Sequence, residues 1–110
     1  MLTLWCNKVS EAKNVTKQIN HEQINNQINK LKELKEKTTE PAVNMYILMA
    51  LRQLVKIPAL NENTRFQVWR MNKALECLCA AMQLMQCTKE TKSELITITF
   101  QLEKITNSMT

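Results

Sequence analysis

The chain has 110 residues, 45% of them hydrophobic, and 15 Lys and Arg against 10 Asp and Glu give it a net charge of +5. That length carries one domain able to bury a core without metal or disulfide staples. It contains no Gly and no Asp, which excludes Asn-Gly and Asp-Gly hairpins, Gly-rich phosphate loops, the dinucleotide-binding fingerprint and the glycine nucleophile elbow. Abundant Asn, Lys, Ile and Thr fit an AT-rich coding genome.

The opening MLTLWCNKV has too short an apolar run for a signal-peptide core, and no stretch approaches the roughly 20 apolar residues of a membrane span. The expectation is a soluble intracellular protein, cytoplasmic or nuclear. Leu2, Leu4 and Trp5 form an apolar tip, and Ser10 offers a helix start. From there to Lys37 the pattern is helical but thin: Val15 and Ile19 make one patch, and Ile24, Ile28, Leu31 and Leu34 another. The step of five between Ile19 and Ile24 predicts a bend or break near Asn20 and His21. This reads as an edge helix, or two shorter ones, with a narrow buried side.

Thr38, Thr39, Glu40 and Pro41 punctuate the chain, and Pro near a first helical position starts the next helix well. The following AVNMYILMALRQLV is apolar on almost every side apart from Asn44, so it is expected to be buried or to face a second subunit. Lys56, Ile57 and Pro58 should end it. The short connection that follows makes the second and third helices antiparallel neighbours, with Asn61, Asn63 or Thr64 as the third helix's cap.

Phe66 to Gln86 is the stretch around which the domain is organised. Val68, Met71, Leu75, Leu78, Met82 and Met85 recur at alternating steps of three and four, an a/d seam. Ala74, Cys77, Ala81 and Leu84 lie beside it, and the alanines invite close approach by a neighbour. After the polar break at Thr88–Ser93, with Thr91 or Ser93 as cap, the segment ELITITFQLEKI reads two ways. Ile96, Ile98, Phe100 and Leu102 alternate like a strand, while Leu95, Ile98, Leu102, Ile105 and Met109 step like a helix. A lone strand would leave its backbone unpaired, so helix is the expectation.

No catalytic constellation is present. One histidine and no aspartate exclude a Ser-His-Asp triad, and glutamates such as Glu33, four before Lys37, read as surface support for a helix. The cysteines Cys6, Cys77, Cys79 and Cys87 make a poor zinc pattern and poor disulfide pairs along one helix. They are expected as small buried hydrophobes, and no metal or cofactor is expected. Met45, Met49, Met71, Met82 and Met85 read as core filler in the two central helices.

The electrostatic candidate is the junction of the second and third helices. Arg52 and Lys56 close one, while Arg65, Arg70 and Lys73 open the other, and an antiparallel pair gathers them at one end. Arg suits bidentate contacts to phosphate or carboxylate, and Trp69, one step off the seam, could anchor an interface or fold under the edge helix. These residues specify an all-α, compact four-helix or five-helix bundle over 1–110. Its expected role is a non-enzymatic protein-interaction module, a small viral or regulatory protein binding a partner protein and associating into a homo-oligomer. The alternatives are a nucleic-acid-associated protein using the basic end and a secreted helical-bundle ligand, for which Asn14-Val15-Thr16 would accept a glycan.

Overall fold

The protein is described here by a computed structural model, which covers residues 21–59 and 64–109. The expected apolar tip, the Ser10 start, the Val15–Ile19 patch, the bend at Asn20, Cys6 and the caps Asn61 and Asn63 lie outside the described residues. Four helices occupy the described chain, with no strand among them: α1 over 21–37, α2 Pro41–Ala59, α3 Thr64–Gln83 and α4 Lys89–Met109. The architecture is an all-α four-helix bundle.

Ile24, Ile28, Leu31 and Leu34 of α1 are all buried, so its thin stripe is its packing edge. The α1–α2 connection is short and hydrogen-bonded at both ends. Thr38 donates its amide and its hydroxyl to the Leu34 carbonyl at 3.0 and 2.7 Å, finishing α1. The Asn44 amide then donates to the Glu40 carbonyl at 3.0 Å, closing the first turn of α2 over Pro41. Asn44 Nδ2 reaches back to the Thr38 carbonyl at 2.6 Å and ties the connection to the helix. Asn44, the first polar residue in the apolar run, thus holds the turn that starts it.

α2 buries Val43, Ile47, Ala50, Leu51, Leu54 and Ile57, but it is not sealed all round. Met45 and Met49 are exposed at 64% and 43%, which corrects the expectation of core filler at these two positions. The helix also runs through Pro58 to Ala59, past its expected end, because a proline in the final turn takes away only one amide bond.

α3 packs against both α2 and α4. Its buried line is Gln67, Met71, Ala74, Leu78 and Ala81, shifted from the expected seam toward its small residues. Leu75 and Met82 flank the core, and Met85 lies beyond the helix at 99% exposure. The alanines occupy the central line because two neighbours close in there, and larger side chains fill the flanks.

The last segment is a helix. Leu95, Ile98, Leu102 and Ile105 are buried and Met109 packs against the core, whereas Ile96 and Phe100, which a strand would have placed with Ile98 and Leu102, stay exposed. Thr106 is buried in α4 because its hydroxyl donates to the Leu102 carbonyl at 2.8 Å. The cap of α4 is Thr88, earlier than the expected Thr91 or Ser93. Its Oγ1 accepts the Thr91 amide at 3.2 Å, and its carbonyl accepts the Lys92 amide at 2.8 Å. Glu90 in the first turn complements the helix dipole.

This distribution of burial predicts unequal costs along α2. Leu54→Ala, at a fully buried site, should lower the free energy of unfolding in urea by about 2–5 kcal/mol. Met45→Ala on the outward face should change it by less than about 0.5 kcal/mol. Equal losses would mean that α2 buries another face.

Candidate interaction face

Charge is not spread evenly over the bundle. α4 carries Lys89, Lys92 and Lys104 against Glu90, Glu94 and Glu103 and is balanced. Described α1 is nearly so, with Lys30, Lys32, Lys35 and Lys37 against Glu22, Glu33 and Glu36. α2 has no acidic residue at all, and α3 has one, Glu76. The cations Arg52, Lys56, Arg65, Arg70 and Lys73 therefore face a single carboxylate on these two helices.

The fold brings the expected residues to neighbouring parts of the same pair of helices. Arg70 Nη1 donates to Gln53 Oε1 at 3.3 Å and sets the two helices level at that point. Arg52 adjoins Gln53 in sequence and Trp69 adjoins Arg70, while Lys56 and Arg65 lie one helical turn or more toward the α2–α3 connection. Arg52, Lys56 and Arg65 are exposed, and Arg70 and Lys73 are half-buried. Lys73 Nζ lies 3.5 Å from Glu76 Oε2 and 5.7 Å from the centre of the Trp69 ring. It thereby links the acid of α3 to its exposed tryptophan.

Trp69 is 52% exposed and does not fold beneath α1, and Phe66, one turn before it, is 57% exposed. On α2, Met45, Met49, Arg52 and Lys56 follow one another at steps of four, three and four along the outward side. The outward side of α2 thus passes from two apolar side chains to two cationic ones as it nears the α2–α3 connection. The sequence signal for Phe66 is its spacing, three residues before Trp69 and likewise off the a/d seam; Met45 and Met49 give no such signal, because the run around them is apolar.

Among the described residues, no three His, Cys, Asp or Glu side chains come together as a metal-binding group, and no helix is long and apolar enough to cross a membrane. Cys77 and Cys87 are half-buried free thiols and Cys79 is exposed, so Cys79 departs from the expected buried role. Burial pushes the Cys77 thiol up, Glu76 pushes it further, and Lys73 opposes both. Burial also raises Cys87, against the pull of Lys92. No family description, curated protein or solved structure matches this chain.

The raised Cys77 value carries a sign. The folded chain holds that proton more tightly than the unfolded chain, so the associated stability is present at neutral pH and is lost as pH climbs through the thiol range. Iodoacetamide at mildly alkaline pH should therefore label exposed Cys79 ahead of Cys77, as read by peptide mass. Equal labelling rates would contradict the placement of Cys77.

Proposed function

We propose that this chain is a non-enzymatic interaction module whose α2–α3 face binds an acidic amphipathic helix of a partner protein. The observation that carries this reading is the segregation of charge: five cations and one carboxylate on two helices that also expose Met45, Met49, Phe66 and Trp69. An amphipathic helix lays apolar side chains on such a surface while its flanking carboxylates meet Arg and Lys. Methionines adapt to different partners, and an exposed Trp supplies rigid apolar area. The expected homo-oligomer is proposed to use another face, because a two-fold contact through α2–α3 would set these cations against their own copies.

A second reading rests on the exposed rings themselves. Trp69 and Phe66 beside Arg and Lys could stack the bases of single-stranded nucleic acid. The aliphatic Met45 and Met49 on the same face favour the protein partner, since they add apolar area without a stacking plane.

Fluorescence anisotropy with a labelled amphipathic helical peptide separates the two. A Leu/Glu peptide should bind at micromolar concentration and a Leu/Lys peptide of the same pattern should not. Arg52→Glu with Arg65→Glu, or Trp69→Ala alone, should weaken binding by about tenfold or more. Equal affinity for both peptides, or affinity indifferent to the charge reversal, would overturn the proposal. Tighter binding to short single-stranded RNA, falling steeply with salt, would replace it with the nucleic-acid reading.

A further inference from the structure

At the far end of α3 from the basic face, the chain leaves the helix at Gln83 and turns back into α4. The turn is held by the Leu84 amide donating to the Ala81 carbonyl at 3.3 Å and the Cys87 amide donating to the Leu84 carbonyl at 3.1 Å. An open cleft of about 520 Å³ lies against this turn, and Cys79, Met82, Met85 and Cys87 all line it, with Lys92 of α4. Four of its lining side chains are therefore sulfur donors.

Packing does not account for them all. Met85 is 99% exposed and Cys79 is exposed, so neither serves the core, while Met82 and Cys87 lie against it only in part. A methionine carried in water on a reversing turn has no hydrophobic role there. Thiolate and thioether together are a soft donor set suited to monovalent copper, a soft d10 ion, rather than to hard divalent ions. A zinc site would call for imidazole, carboxylate or further thiolate in place of the two thioethers.

We propose that Cys79, Met82, Met85 and Cys87 form a site for one Cu(I) ion. Binding releases the two thiol protons to solvent and makes two thiolate–copper bonds, leaving a unit of charge −1 that the Lys92 ammonium offsets. The thioethers are neutral and complete the coordination without adding charge. Met82 and Cys79 are supplied by α3 and are one turn apart, whereas Met85 and Cys87 come from the turn. Copper would thus join the end of α3 to the start of α4.

The test is anaerobic titration of the reduced full chain with Cu(I) in competition with a coloured chelator such as bicinchoninate. The chain should withhold one copper ion. Cys79→Ser with Cys87→Ser should remove that uptake, and Met82→Leu with Met85→Leu, which preserves bulk, should weaken it by about tenfold. Cys6→Ser with Cys77→Ser should leave it unchanged, and circular dichroism should report the same helicity for every variant. Copper retained by the Cys79/Cys87 variant, or held equally well without the two methionines, would overturn the four-sulfur site. Stoichiometric uptake of Zn(II) at the same residues would overturn the choice of a soft ion.

Discussion

Two neighbours, α2 and α4, pack against α3, and this shared helix sets the terms for the rest of the bundle. A helix with large side chains along its whole buried line would hold both partners at a distance and leave gaps between them. Here Ala74 and Ala81 alternate with Met71 and Leu78, and all four are fully buried. The small residues let backbones approach, while the large ones fill the space above and below each contact. The turn after α3 then returns α4 to its flank.

The same arrangement separates the surfaces of the molecule. Because α2 and α3 are consecutive and adjacent, the cations of both belong to one packed pair of helices, whereas α4 carries balanced charge. Concentrating like charge works against the folded chain through mutual repulsion. It is tolerable at exposed positions, where solvent and salt screen it, and a partner carrying the opposite charge relieves it. Exposed methionine and aromatic side chains among those cations give the same partner apolar area to cover.

Much of the fold was legible in the sequence because steps of three and four survive even where composition is ambiguous. Ile24, Ile28, Leu31 and Leu34 read correctly as one buried stripe, and the helical spacing of Leu95 to Met109 outweighed a strand-like alternation of the same residues. What failed were choices between side chains of similar hydrophobicity. Met49 and Ile47 look alike in an apolar run, and only the positions of α1 and α3 decide which one is covered. Periodicity alone puts the seam of α3 on its largest residues, though close helix contacts put small ones, Ala74 and Ala81, on the buried line. Nothing local ranks Thr88 above Thr91 or Ser93 as a cap; the difference is made by where α3 ends. At the candidate face, the grouping of Arg52, Lys56, Arg65, Trp69, Arg70 and Lys73 onto adjacent helices followed from the short α2–α3 connection alone, whereas the exposure of Phe66 needed the packed structure.

None of the described residues has a positive φ, although two chain reversals lie among them. The reversals are built from Thr, Glu, Pro, Leu, Met, Gln and Cys, closed by side-chain and backbone hydrogen bonds in place of left-handed backbone. Glycine would have widened the set of conformations open to the unfolded chain, and ordering it would have cost more entropy. A chain without glycine begins from a narrower denatured ensemble, so each ordered residue of its connections gives up less freedom on folding. The core, with 18 buried hydrophobic side chains among the described residues, therefore has a smaller entropic opposition to overcome than the same core joined by glycine turns.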